Sequence, residues 1–182
     1  MKTLTYILIL IGYSLPNFAQ FQQGSYTYFG VSVPLKENVN RGDDEYWFLP
    51  DGLSLKFGEG IHFNRTISIG LHSGIDWIGS RKLVVIPAYA NLKLSLQLGP
   101  EDFLYIQPAY GKSIVLGRGN LHEDFQKISL GYEGIEGYSF FIELTQYGFK
   151  LYTPDKVTTF SLGLAFTAFN KKTRTNINKI KP

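Results

Sequence analysis

Two short runs place a histidine beside groups that could serve nucleophilic catalysis: His72-Ser73, and His122 followed by Glu123 and Asp124. A serine-type hydrolase needs its nucleophile, base and orienting acid within hydrogen-bond reach of one another. In an extended chain neighbouring side chains leave on opposite faces, so His72 cannot act on Ser73 directly. His72 therefore reads as a hydrogen-bonded interior residue, and no enzymatic activity is expected. Asp43-Asp44-Glu45 offers the oxygen ligands that Ca²⁺ prefers, but its spacing matches no loop motif. It reads as a solvated acidic turn, and neither a metal nor any other cofactor is expected. Gly117-Arg118-Gly119 reads as a turn, since no helix follows to build a phosphate site. The 182-residue chain contains no cysteine, which removes thiolate metal ligands, cysteine nucleophiles, disulfides and an N-terminal lipoprotein anchor.

The elements that must position these residues are strands. The chain has 14 Phe, 12 Tyr and 19 Gly against a single Met, a balance that disfavours a helical bundle. The net charge of +3 arises from a C-terminal cluster, Lys171, Lys172, Arg174, Lys179 and Lys181. The body is slightly acidic, so nucleic acid is excluded as a partner. At the other end, Lys2, the apolar run Leu4 to Ile11 and the stretch Pro16 to Ala19 follow the order of a cleavable export signal. The expected organisation is a signal peptide at 1–19, a barrel domain at 20–170 and a basic tail at 171–182.

Beyond residue 24 the hydropathy repeats every two residues. From Leu83 to Leu98 every even position is apolar, while the odd ones include Tyr89, Asn91, Lys93, Ser95 and Gln97. Phe160, Leu162, Leu164, Phe166 and Ala168 alternate in the same way with Thr159, Ser161, Gly163, Ala165 and Thr167. A soluble barrel turns its bulky residues inward and shows Lys and Glu to water. Here the polar faces are poor in charge and rich in Gly, Ser and Thr, which suits a narrow lumen enclosed by a greasy exterior. The fold class expected is all-β: an eight-stranded antiparallel up-and-down transmembrane β-barrel. Strands are expected at 25–35, 53–64, 66–78, 82–98, 102–116, 123–134, 138–152 and 156–169, with tight turns on one side and longer loops on the other. Closure is required, because an open edge would leave backbone groups unpaired in hydrocarbon. Pro87 and Pro108 remove ladder donors, and bulges or strand-end distortions are expected there.

Parity then assigns Lys56, His62, His72, Asp76, Lys93, Lys127, Glu133 and Glu143 to the lumen. Buried charges must pair. The turn at 135–137 sets Glu143 opposite or diagonal to Lys127, and the turn at 64–66 sets Asp76 diagonal to Lys56. The lumen ion pairs are therefore sought among Lys56, Asp76, Lys93, Lys127, Glu133 and Glu143. A plug of ion pairs is the expected outcome, and a gated pore opened at Lys127–Glu143 is the alternative. In the long 36–52 loop, Tyr46, Trp47 and Phe48 read as an aromatic anchor at a membrane interface, or else as a contact surface for a protein partner. The basic tail could touch anionic head groups.

Together with the export signal, the strand sequences Ile86-Pro87-Ala88-Tyr89-Ala90-Asn91-Leu92-Lys93 and Ile128-Ser129-Leu130-Gly131-Tyr132-Glu133 resemble the small outer-membrane β-barrel proteins of Gram-negative bacteria, particularly those of Bacteroidota type. The resemblance implies location in the outer membrane, contact with its lipid, and a structural, adhesive or protective role. Some barrels of this broad group modify lipid A, but the His-x-Ser-Asn run of the deacylases is missing. The chain also departs from the group by carrying Asn170 and the basic tail after its strand-final Phe169. A soluble exported lipocalin-like binder is the alternative fold reading. It requires Leu92, Leu94, Leu162 and Leu164 to pack together in a core.

Overall fold

A computed structural model describes residues 23–38, 47–116, 122–148 and 156–171. The predicted signal peptide, Asp43 to Tyr46, Gly117 to Gly119 and the tail beyond Lys171 lie outside the described residues.

Among the described residues nine strands form one sheet: β1 (Gln23–Glu37), β2 (Phe48–Pro50), β3 (Gly52–Phe63), β4 (Ile67–Ile78), β5 (Leu83–Gln97), β6 (Phe103–Leu116), β7 (His122–Glu133), β8 (Tyr138–Gly148) and β9 (Lys156–Lys171). Apart from the short β2, each pairs antiparallel with the next in chain order, and β9 pairs back onto β1 to close an eight-stranded barrel. No sheet edge is left open along these eight strands, as closure demands. The register from Gly24 runs through His62, Ser68, Lys93, Gln107, Ser129, Glu143 and Ser161, and returns to β1 at Pro34, ten residues along. Such a stagger tilts the strands against the barrel axis and keeps the interior narrow.

Two expectations are corrected. The 36–52 segment is not a single loop, because β1 continues to Glu37 and pairs with β2 through Leu35–Pro50, Lys36–Leu49 and Glu37–Phe48. Nor do the prolines create bulges. Between β4 and β5, Ser73 pairs with Ala88 and Asp76 with Val85 in one register, so the ladder skips Pro87 without gaining a residue. Between β5 and β6 the ladder lapses beside Pro108 and resumes unchanged from Asn91–Ala109 to Leu94–Ile106. Each proline lacks its donor toward one neighbour only, and Ser73 Oγ donates to the Pro87 carbonyl at 2.9 Å.

The turns at one end are tight, and their backbone explains the register. Asn64 and Arg65 both have positive φ (49° and 59°), and the Thr66 amide donates to the Phe63 carbonyl at 2.9 Å. This is the twist-matched geometry of a two-residue hairpin. We call this the turn end and the opposite rim the loop end.

The two faces are sorted by parity. Outward positions carry large apolar side chains open to the surroundings: Leu71 is 74% exposed and Leu164 65%. Leu92, Leu94 and Leu162 point outward as well, so they form no central core. Polar side chains fill the interior instead. Lys56 is 2% exposed, and Lys93, Lys127, Asp76, Glu133 and Glu143 are all buried.

Candidate functional site

The lumen is the densest concentration of chemistry among the described residues. Glu143 on β8 organises its middle. One carboxylate oxygen accepts from Lys56 Nζ at 2.5 Å and from Ser32 Oγ at 3.1 Å. The other lies 3.2 Å from Lys127 Nζ and 3.5 Å from Ser129 Oγ. Ser129 stands directly opposite Glu143 across the β7–β8 ladder, and Lys127 is diagonal to it. Asp76 is likewise diagonal to Lys56, with 3.6 Å between Nζ and Oδ1. Its second oxygen accepts from the Tyr147 hydroxyl at 2.6 Å. Lys56 thus joins both carboxylates, and the two neighbour-strand pairs become one network spanning β1, β3, β4, β7 and β8. Nearer the turn end Lys93 donates to Glu133 and sits 4.2 Å from the centre of the Tyr105 ring. Three lysines and three carboxylates balance in charge, the condition for enclosing them in a narrow lumen.

Rings fill the space on either side of this network. Toward the loop end Ile78, Leu83, Val85, Tyr89, Val115, Phe125 and Tyr147 form one buried cluster. Tyr89 stacks on Phe125 at 4.8 Å, and Phe125 meets Tyr147 edge-on at 5.6 Å. Toward the turn end Tyr26, Tyr28, Tyr105, Phe141 and Ala165 form a second cluster. Both clusters escape a reading that follows charges and the outer face.

Their fit follows a rule. Across the ladders Tyr26 faces Gly60, Tyr28 faces Gly58, Tyr89 faces Gly111, Tyr105 faces Gly131 and Phe141 faces Gly163. The rings of Tyr26, Tyr105 and Phe141 lie over the glycines that face them, the Tyr28 ring lies over Gly30, and His72 covers Gly58, which is how eight strands enclose so many aromatics. A Cβ at Gly131 would overlap the Tyr105 ring. Gly131→Val is therefore expected to cost about 1–3 kcal/mol through overpacking, measured by urea unfolding in detergent micelles.

His72 occupies the middle of the lumen, stacked on Tyr28 at 4.7 Å with its Nε2 3.3 Å from the Tyr26 hydroxyl. Its neighbour Ser73 faces outward and serves the Pro87 carbonyl. The two are not brought together. His62 lies near the turn end with its ring edge-on to Phe169 at 4.9 Å. Among the described residues no three His, Asp or Glu side chains converge to hold a metal ion. At the loop-end rim Trp47 is 65% and Phe48 58% exposed. Beside them Asp51 accepts from the Ser80 amide at 2.8 Å and from its hydroxyl at 2.6 Å, tying the β2–β3 junction to the β4–β5 connection.

No family model and no curated protein sequence matches the chain. Solved structures do. The crystal structure of Neisserial surface protein A shares 9% identity, covers 79% of this chain and 95% of that one, and superposes with a TM-score of 0.55. A de novo designed transmembrane β-barrel (10% identity, 80% and 95% covered) gives 0.43, and the Yersinia pestis outer membrane protein Ail in a phospholipid nanodisc (13% identity, 81% and 100% covered) gives 0.42. At 9% identity the likeness to the neisserial protein concerns the fold alone: a closed eight-stranded antiparallel barrel.

Proposed function

We propose that the chain is exported and folded into the outer membrane of a Gram-negative cell, where it serves as a small closed barrel with a structural or surface-interaction role. The observation that carries this reading is the inversion of burial. Leucines, isoleucines and phenylalanines cover the outside, while lysines and carboxylates are sealed within. In water such a surface would be an aggregation hazard, and in a bilayer it is the required exterior. A soluble carrier would need the opposite sorting.

The lumen supports a plug and argues against an open pore. The charge network and the two ring clusters lie one after another along the axis, and Phe125 and Val85 are both 0% exposed. Catalysis has no support in the lumen, where His72 is packed among aromatic rings. Replacing His72 with Ala should leave the lipid A mass spectrum of the expressing cells unchanged. The loop end is the interaction surface in this reading, with Trp47 and Phe48 at the membrane boundary beside the strand-paired part of the 36–52 segment.

Fractionation tests the reading. The protein should appear in the outer-membrane fraction, dissolve only in detergent, and run on gels with a mobility that changes on boiling. Recovery as a freely soluble periplasmic protein would overturn it.

A further inference from the structure

The outward face of β3 reads Leu53, Leu55, Phe57, Glu59, Ile61, Phe63. A carboxylate thus stands within the apolar band, with large apolar residues on either side of it. The other charges along the outward strand interiors, Lys112 and Asp124, pair with each other near the loop end. Among the described residues Glu59 has no such partner. Beside it, the band on β1 is interrupted: the outward residues from the turn end are Gln23, Ser25 and Thr27, and apolar cover begins only at Phe29. Thr27 pairs with Glu59 and Ser25 with Ile61, so the hydroxyls and the carboxylate share one patch. Asn170 of β9 joins it opposite Ser25. The patch opens into a groove of about 1030 Å³ walled by Phe57, Ile61, Ile69 and Leu71.

We propose that this groove binds a phospholipid bearing a primary ammonium, of the phosphatidylethanolamine class, from the leaflet at the turn end. The inference rests on the membrane reading above. A charge in the acyl region needs an opposite charge, and the ammonium supplies it to Glu59. The Thr27 hydroxyl, level with Glu59 on the neighbouring strand, donates to the phosphate, and Ser25 and Asn170 keep the path from the turn-end interface polar. The interruption on β1 lets the headgroup sink to the level of Glu59, where its acyl chains run toward the loop end over Phe57 and Leu71. A second copy of the chain fits less well, because a two-fold contact uses the same patch on both sides and its lining holds no lysine or arginine to meet the other Glu59.

Native mass spectrometry of the full chain released from micelles tests the site. Phosphatidylethanolamine and phosphatidylglycerol with matched acyl chains are the probes, and wild type, Glu59→Gln and Glu59→Leu are compared. Heat-modifiable mobility in vesicles is recorded first for each variant. A wild type that fails to insert refutes the membrane reading itself. If all three insert, wild type should retain phosphatidylethanolamine about five- to tenfold better than phosphatidylglycerol, and both variants should lose that preference, as removal of one charge-assisted hydrogen bond implies. Glu59→Leu should insert at least as well as wild type, so its loss of preference cannot be ascribed to misfolding. An absent preference in an inserted wild type, a preference that both variants keep, or a dimer that depends on Glu59 would each overturn the proposal.

Discussion

Glu143→Ala is expected to destabilise the barrel by about 3–5 kcal/mol, the cost of leaving buried charge without its partner. Two lysines lose their partner at once, since Lys56 and Lys127 both converge on this carboxylate. Asp76 retains a hold on Lys56, but at 3.6 Å it is the longer contact. Lys127→Met should cost distinctly less, because Glu143 keeps Lys56, Ser32 and Ser129. Urea unfolding in phospholipid vesicles, followed by tryptophan emission, gives both values. The rank order carries the argument. Equal large effects would contradict the central place given to Glu143, and negligible ones would mean that the network is hydrated and open, as a conducting lumen would be.

Leu164→Arg is the second large effect. Leu164 lies on the outward face of β9 opposite Phe140 and Val31, well inside the apolar band. An arginine near the midplane of a membrane barrel costs about 2–4 kcal/mol. The variant should unfold at lower urea in vesicles and assemble more slowly. In a soluble carrier an arginine at a 65%-exposed site would change stability by only a few tenths of a kcal/mol. The same substitution thus separates the two fold readings by the size of its effect.

The barrel was legible in the sequence because a strand buried on one side writes a period of two, and β5 keeps it without interruption from Val84 to Leu96 on its outward face. The hairpin at Asn64-Arg65 is short enough to fix register, which places Asp76 diagonal to Lys56 on local grounds. The contacts that join the lumen into one network were not legible in this way. Lys56 and Glu143 are 87 residues apart on strands that are not neighbours, and only closure with a ten-residue stagger sets them side by side. The ring clusters had a signal that local alternation hides. An inward aromatic on one strand meets an inward glycine on the next, but the match appears only once register is known. β2 was missed because three residues make too short a run to show any period. Pro87 and Pro108 misled because a missing donor suggests a bulge, whereas a ladder can lose one bond and hold its register.

Glu59 stands apart from this consistency. Every other outward residue of β3 is apolar, and a charge retained among them breaks the local rule that the rest of the strand obeys. Such breaks are expected where a surface binds something.

The direction in which β5 turns its side chains can be measured without disturbing any native thiol, because the chain has no cysteine. Single cysteines at 89 through 94, spin-labelled in vesicles, report access to oxygen dissolved in the acyl region and to a water-soluble nickel chelate. Labels at 90, 92 and 94 should be mobile, open to oxygen and shielded from nickel, while those at 89, 91 and 93 should be immobilised and shielded from both. Immobile labels at 90, 92 and 94 beside nickel-accessible ones at 89, 91 and 93 would contradict the account, because the leucines would then line a core and the lysines would face water.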